Sequence, residues 1–196
     1  MNLWEEASKW EKQWHGNCVN SYMEEEKQLI YVNRMGIKTY HDGKTPYNFD
    51  LKGNILDMGG GPYSILLKCP NKLSGTVIDP CNYPDWIRQR YESAGIELVK
   101  MKAEEFKSNT VFDLGLCYNV LQHVENPELV IRNMRKTCKE IRIFEWCLNG
   151  ISPGHLHNLI PEELDKWLNG EGKVEKLNTP ICKGLCYYGI FPGDIK

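Results

Sequence analysis

Short apolar runs alternate with mixed polar and apolar segments over most of this chain. The pattern predicts five buried strands, at residues 54–57, 75–79, 96–99, 112–117 and 141–146. Helices are predicted between them, near residues 63–68, 85–94 and 127–138. Strands that alternate with helices favour a mostly parallel sheet with helices on both faces, so the predicted fold class is α/β, doubly wound.

The pattern changes after residue 146. A loop at residues 149–157 and a short helix at 161–168 precede two more predicted strands, 174–177 and 185–191. These strands are joined by a turn that contains Pro and Gly, which is typical of a hairpin-like return. The predicted sheet therefore has seven strands.

The residues before the first core strand predict a helical cap and a connecting loop. Residues 1–14 carry four apolar side chains at helical spacing, Leu3, Ala7, Trp10 and Trp14. This face would pack onto the domain. Residues 15–22 predict a polar loop, 24–35 a second helix, and 38–52 a connection.

We therefore divide the chain into a helical cap with its connecting loop, residues 1–53, and a core of residues 54–196. The chain has 196 residues. A chain of this length suits one domain that buries roughly two-thirds of its unfolded surface. We expect both parts to belong to that single domain.

Charge and hydropathy narrow the possible partners. The net charge is −2 and the sequence pI is about 6.2, so no general basic field would attract nucleic acid. No signal-like segment or long apolar span is evident, and we expect a soluble cytoplasmic protein without a membrane partner. The sequence leaves the oligomeric state open.

The eight cysteines are scattered and form no C-x-x-C pair. This usage is typical of reduced intracellular thiols rather than of a disulfide framework. Cys182 and Cys186 have a loose metal-ligand spacing, but no second pair accompanies them. We expect no metal site.

A glycine-rich turn follows the first core strand. Asp57 ends that strand and is followed by Gly59, Gly60 and Gly61. Such glycines allow positive φ and let a ligand lie on the backbone, and a helix after them would present free N–H groups to an anion. A second acid, Asp79, ends the next strand about 20 residues beyond, where a carboxylate can reach a ribose hydroxyl. Together these features predict a nucleoside site.

The spacing discriminates among nucleoside ligands. A dinucleotide fingerprint, counted from Gly59, requires a sixth-position glycine, but Ser64 stands there. No G-K-[ST] follows the glycines, which excludes a phosphate-binding P-loop. A NAD-dependent reductase would share the sheet and Asp79 but needs the full fingerprint and a catalytic set that we do not find, so it remains the weaker alternative.

The stretch Ile55–Ser64 resembles the first motif of the class I S-adenosylmethionine-dependent methyltransferases, in which a strand and an acid precede a G-x-G turn. Asp57, Gly59 and Gly61 match, while Tyr63 replaces the third glycine that is frequent in the family. The resemblance is to the small-molecule type of this Rossmann-like family and covers most of residues 54–191. It implies S-adenosyl-L-methionine as the cofactor and an antiparallel last strand.

The resemblance also implies cofactor-binding roles. Asp79 would hold the ribose diol, because a carboxylate accepts two O–H donors strongly. Ala103 and Glu104 would lie near the adenine, and the stretch beginning at Tyr118 and Asn119 beside the methionine portion. The full implied set is Asp57, Gly59, Gly60, Gly61, Asp79, Pro80, Ala103, Glu104, Tyr118 and Asn119.

Three histidines are candidate catalytic residues. His123 follows the fourth core strand, and His155 and His157 stand in the loop after the fifth. Histidine can act as a general base near neutral pH. A second interpretation, in which these side chains only serve the scaffold or the surface, stays open. The candidate substrate-binding residues are Trp14, Asn20, Tyr22 and Gln122.

The expected function is O-methylation of a small hydroxyl-bearing acceptor, either a sugar or a phenolic metabolite. N-methylation of a small amine and a non-catalytic cofactor-binding module remain alternatives. Methylation of DNA bases is not expected, because residues 118–121 carry neither an Asn/Asp-Pro-Pro-Tyr/Phe signature nor a Pro-Cys nucleophile.

Overall fold

The computed structural model describes residues 3–15 and 18–195, and the side chains of residues 16–22 lie outside the description. The N-terminal part contains helix α1 (Leu3–His15), helix α2 (Cys18–Arg34) and a two-stranded antiparallel ribbon, β1 (Thr39–Tyr40) and β2 (Asn48–Phe49). Two expectations are corrected here. Helix α2 begins inside the predicted loop of residues 15–22, and the connection at 38–52 contains the ribbon.

The remaining elements follow in the predicted order. They are β3 (Gly53–Met58), β4 (Lys72–Ile78), α3 (Asp85–Ser93), β5 (Ile96–Val99), β6 (Phe112–Tyr118), α4 (Pro127–Thr137), β7 (Cys138–Cys147), α5 (Pro161–Leu168), β8 (Lys173–Asn178) and β9 (Lys183–Pro192). The seven strands from β3 onward form one sheet in the order β5-β4-β3-β6-β7-β9-β8. Strands β3 to β7 are parallel, and β9 runs antiparallel between β7 and β8, which confirms the predicted sheet.

The strand order fixes where a ligand can bind. The chain begins the sheet at β3, moves outward through β4 and β5, and then returns to the other side of β3 with β6. The connections therefore diverge between β3 and β6. In open α/β sheets the crevice at such a switch point, outside the carboxyl ends of the strands, is the usual ligand site.

The predicted helix at residues 63–68 is not a regular α-helix. Two short 3₁₀ turns, Gly61–Tyr63 and Ile65–Lys68, take its place, and Ser64 between them is extended at φ −51° and ψ 140°. The Ser64 hydroxyl caps the second turn by accepting from Leu66 N at 3.0 Å. The turn after the glycines therefore lacks the long macrodipole expected from the sequence, because a single 3₁₀ turn aligns few peptides.

Two hydrophobic cores lie on opposite faces of the sheet. Consecutive residues of β3 contribute to different cores, Ile55 to one and Leu56 to the other, as the strand period of two requires. One core packs α2 and α3 against the sheet through Tyr31 and Tyr91, and the other packs α4 and α5. No helix in the described part of the chain is long and apolar enough to cross a membrane.

Burial in the sheet predicts that two substitutions of an aliphatic residue by alanine change the free energy of unfolding by different amounts. Ile143 on β7 is fully buried, whereas Leu73 on β4 is 79% exposed. We expect Ile143→Ala to lower the free energy of unfolding by about 2–5 kcal/mol, and Leu73→Ala to change it by about 0.5 kcal/mol or less. Urea denaturation followed by circular dichroism measures both values, and equal losses would contradict the described core.

Candidate functional site

The carboxylate of Asp57 lies beneath the glycine loop. It is fully buried, and its Oδ2 accepts hydrogen bonds from Ser64 Oγ and, at 2.7 Å, from Tyr118 Oη. A Cβ added at Gly60 would come within 2.5 Å of the same oxygen. Asp57 thus holds the loop from below, and it does not line the cavity described next.

The glycine loop presents bare backbone to the cavity. Gly59 and Gly61 have φ values of +72° and +59°, which L side chains rarely adopt. A Cβ at Gly59 would meet the Val120 methyl groups at 2.6 Å, so this glycine is required for packing. At Gly61 the nearest atoms, on His15 and Tyr83, would be 3.9 Å away, so a side chain there would fill space that is open to a ligand.

Asp79 stands where β4 ends, at the wall of the same cavity. Its Oδ2 accepts from Gly61 N at 3.1 Å, and its Oδ1 accepts from Cys81 N and Tyr83 Oη, both at 2.9 Å. Burial raises the pKa of Asp79, and the hydrogen bonds from Cys81 and Tyr83 oppose that rise. A carboxylate offers about four lone-pair sites, so three bonds leave capacity for a ligand donor.

The end of β6 has a strained backbone. Asn119 has φ +58°, its N–H donates to Phe144 O at 2.8 Å, and its Oδ1 accepts from Gln122 at 2.9 Å. Fully buried Glu145 fixes the following turn by accepting from Val120 N and Leu121 N. Such strain persists only where the surroundings enforce it, and it is frequent at functional sites.

His123 lies on the cavity wall and is held from behind. Its Nδ1 lies 2.6 Å from Gly154 O and 3.4 Å from Glu11 Oε1. Both neighbours are acceptors, which assigns the Nδ1 proton and leaves the lone pair of the neutral ring on Nε2. Nε2 lies 3.2 Å from the amide nitrogen of Gln122.

His155 and His157 occupy different positions relative to the cavity. His155 lines it, with its ring 5.0 Å from that of His123, and burial followed by the charge of His123 lowers its pKa. His157 lies outside the lining, and its Nε2 contacts Val124 O at 2.8 Å. The structure therefore places His155, and not His157, at the wall of the cavity.

Helix α1 contributes functional groups that the sequence interpretation missed. One face of α1, at the spacing of two helical turns, lines the cavity with Trp4, Ala7, Ser8, Glu11, Trp14 and His15. Three of the four residues of the predicted face, Ala7, Trp10 and Trp14, also line the cavity, whereas Leu3 is 74% exposed. The sequence did contain one signal for these groups, because Glu11 and His15 are four residues apart and therefore lie on the same face of a helix. Their side chains are 3.3 Å apart in the structure.

Glu11 connects α1 to the histidines of the core. Burial raises its pKa, but the His15 hydrogen bond and the charge of His123 outweigh this and leave the pKa below its ordinary value. Glu11 is therefore an anion that faces His15 on one side and His123 on the other. The contact with His123 ties α1 to the core, and His15, at the end of the same helix, lies beside Gly61.

A single cavity of about 480 Å³ joins these groups. It is lined by nearly all of the predicted cofactor residues, Gly59, Gly60, Gly61, Asp79, Pro80, Ala103, Glu104, Tyr118 and Asn119, and by the predicted acceptor residues Trp14, Gln122, His123 and His155. The side chains of Asn20 and Tyr22 lie outside the described residues. Most of the residues predicted from the sequence to bind cofactor or acceptor therefore line the same cavity.

Comparisons with known proteins agree with this architecture. Residues 56–141 match the family Methyltransf_11, whose description is "Methyltransferase domain". No curated protein matches the chain in sequence.

Solved structures share the fold over nearly the whole chain. The N-methyltransferase NodS from Bradyrhizobium japonicum WM9 in complex with S-adenosyl-L-homocysteine has a TM-score of 0.67 and 16% identity, with 96% of this chain and 99% of that chain covered. A complex of DhpI with the same ligand has a TM-score of 0.63 and 13% identity, covering 98% of each chain. The 1,6-didemethyltoxoflavin-N1-methyltransferase from Burkholderia thailandensis has a TM-score of 0.61 and 14% identity, covering 95% of this chain and 86% of that one.

Two buried carboxyl groups predict how stability depends on pH. Burial raises the pKa of Asp57 to about 7 and that of Glu145 to about 7, whereas both groups titrate near about 4 when unfolded. Between these values the folded state binds more protons than the unfolded state, so the free energy of unfolding falls as pH rises. These two groups should lower the Tm between about pH 5 and 8, against the opposite contribution of His155, whose lowered pKa makes the folded state bind fewer protons.

A substitution at Glu145 shows how much this one carboxyl group contributes to the pH dependence of the Tm. Glu145→Gln removes a titrating group and should flatten the dependence of Tm on pH, while Glu97→Gln, at an exposed position on β5, should keep the wild-type slope. Differential scanning fluorimetry across the pH range measures this. Identical slopes in the wild type and Glu145→Gln would contradict the role of Glu145.

Proposed function

We propose that this chain carries a class I methyltransferase domain whose cofactor is S-adenosylmethionine. On this premise, the protein methylates a hydroxyl group of a small acceptor, either a sugar or a phenolic metabolite, and His123 is the general base. The observation that carries the proposal is the His123 imidazole on the cavity wall, supported at Nδ1 by the Gly154 carbonyl and the Glu11 carboxylate.

The residues of the cavity fit the cofactor. The bare surface at Gly61 is a cradle that a Cβ would fill, and Asp79 beside it retains acceptor capacity for ribose hydroxyls. Ala103 and Glu104 line the same side of the cavity and would border the adenine. When bound, the cofactor supplies a methyl group on a positively charged sulfur.

The hydroxyl of the acceptor must lose its proton as its oxygen takes the methyl group. His123 would take that proton at Nε2 once the Gln122 amide, which lies 3.2 Å from this nitrogen as a donor, has turned away. Glu11 and Gly154 then stabilise the positive ring through the Nδ1 proton, the arrangement by which an orienting group raises the efficiency of a base. Positioning of the two reactants supplies the rest of the rate enhancement.

N-methylation of a small amine is the second candidate. The Glu11 carboxylate at the cavity would attract a cationic amine, and two of the similar structures are N-methyltransferases by their descriptions. An amine needs only to be deprotonated before it reacts, so its methylation does not require a base in the transition state. The two functions therefore differ in their dependence on His123.

Asp79 provides the test of cofactor binding. We expect Asp79→Ala to weaken binding of S-adenosylmethionine by about 1.5–3 kcal/mol, the scale of hydrogen bonds to a charged group, and Asp50→Ala, at an exposed position in the connection, to leave it unchanged. Isothermal titration calorimetry measures both, with NADH as a second ligand that should not bind. Unchanged affinity in a folded Asp79→Ala variant would refute the cofactor assignment.

His123 provides the test of the base. With a hydroxylated acceptor, His123→Ala should lower kcat by about a hundredfold or more and leave cofactor affinity within about threefold, because only the proton acceptor is lost. The assay is release of S-adenosylhomocysteine with catechol, methyl glucoside or benzylamine as acceptor. His41→Ala, at an exposed position in the ribbon, is the control.

The outcomes separate the candidate functions. Loss of turnover on catechol or methyl glucoside in His123→Ala supports base-assisted O-methylation. Turnover on benzylamine alone, unchanged in His123→Ala, would establish the amine alternative in its place. Cofactor binding without turnover on any hydroxylated or amine acceptor would favour a non-catalytic module.

A further inference from the structure

The cavity has a second half that the cofactor residues do not occupy. Its lining comes from α1, α2, the end of β7 and the segment after it, and the turn between β8 and β9. The apolar part is formed by Trp14, Tyr31, Trp146, Ile181 and Cys182, and the polar part by Glu24, Lys27, Gln28, Asn149 and Lys183. We call this half the aromatic compartment. The sheet order places β7 and β9 on one side of the switch point, and β3, β4 and β5, whose ends carry the glycine loop, Asp79 and Ala103, on the other. Tyr118 and Asn119, at the end of β6, lie at the boundary.

The aromatic walls are fixed by the core behind them. The ring of Tyr31 lies 4.4 Å from that of Phe144, which in turn packs edge to face against Trp146 at 5.2 Å. Trp14 is held at its indole N–H by Glu24, 3.3 Å away, with Lys27 5.5 Å above its ring. Rigid aromatic walls suit a planar ring, which stacks on them in offset or edge-to-face geometry.

One polar group of the compartment stands out. Tyr31 is 1% exposed and lines the cavity. Its hydroxyl lies near the Trp146 indole, which can only donate, and within the described part of the chain it makes no hydrogen bond of regular geometry, so its own proton has no acceptor. Burial raises its pKa well above the ordinary value, so the hydroxyl is protonated. A buried hydroxyl proton without an acceptor is costly, and a ligand that accepts one hydrogen bond would remove that cost.

The other polar side chains that α2 brings to this region are already engaged. Gln28 donates to Tyr63 O, and the Glu24 carboxylate binds Lys27 at 2.7 Å as well as Trp14. A saccharide would bring several hydroxyl groups, each of which needs a partner when it leaves water. The compartment suits a ligand with a large apolar face and few polar atoms.

We propose that the aromatic compartment binds the methyl acceptor as a planar aromatic ring that carries the reactive hydroxyl, with Tyr31 hydrogen-bonded to a second polar substituent of that ring. The proposal rests on the proposed function, and it selects a phenolic acceptor over a saccharide. The reactive hydroxyl would point toward His123, at the boundary with the cofactor half. Trp14, Tyr31 and Trp146 would determine specificity, while His123 keeps its role as the base.

Direct binding tests the proposal without turnover. The probes are 4-nitrophenol and methyl α-D-glucopyranoside, each titrated into the full chain saturated with S-adenosylhomocysteine and followed by ligand-observed NMR. We expect 4-nitrophenol to bind, and its affinity to fall about three- to tenfold in Tyr31→Phe, the effect of one hydrogen bond. Tyr40→Phe in the ribbon should bind as the wild type does.

A second variant fills the compartment without touching the cofactor half. Ile181→Trp should abolish 4-nitrophenol binding while the affinity for S-adenosylhomocysteine stays within about twofold, because the added indole takes the space of the ring. Unchanged 4-nitrophenol affinity in both Tyr31→Phe and Ile181→Trp, or binding of the glucoside in preference to 4-nitrophenol, would overturn the proposal.

Failure of the proposed function would give a different result. Binding of 4-nitrophenol that depends on Tyr31 and Ile181, without methylation of any phenol in the presence of S-adenosylmethionine, supports the aromatic compartment and refutes phenol methylation by this site. Binding together with methylation that is lost in His123→Ala supports both proposals.

Discussion

The buried carboxylate of Asp57 is the constraint on which the site depends. It joins the end of β3, the turn at Ser64 and the end of β6 through two hydrogen bonds to one oxygen. Tyr118 also receives the N–H of Ile65 at its hydroxyl, and Tyr91 binds both Ser64 N and Gly61 O. Two tyrosines and one acid thus fix the backbone of the glycine loop from the side of the core, and the opposite side of Gly61 is left facing the cavity.

The electrostatics of the cavity follow from which charges are buried. Asp79 keeps its carboxylate at the wall with three donors, while Glu11 reaches in from α1 and lies between His15 and His123. The same ion that orients His123 also attaches α1 to the core. The orientation of His123, the proposed base, and the closure of the cavity therefore share one side chain. A movement of α1 that opened the cavity would also remove the contact between Glu11 and His123.

The sequence predicts the elements that depend on the spacing of apolar residues and on the glycines and prolines between them. All seven strands, the helix Pro161–Leu168 and the acids at the ends of β3 and β4 follow from short apolar runs and the glycines between them. It fails at Ser64, whose hydroxyl donates to Asp57 and accepts from Leu66 N, so that two short turns replace the predicted helix. It also misses Glu11 on α1, because apolar spacing does not select a charged residue and its partner His123 is distant in sequence. His157 could not be separated from His155 for the same reason, since only the fold shows that it binds Val124 O.

The central claim is that α1 and the strand-end loops form one chamber around the cofactor. Hydrogen exchange of the intact chain, with and without S-adenosylhomocysteine, tests it most directly. The account predicts that the ligand slows exchange both in the loop Gly59–Gly61 and in α1 around Glu11, because Glu11 and His15 stand over that loop. Protection confined to the loop, with α1 exchanging as fast as in the free protein, would contradict it.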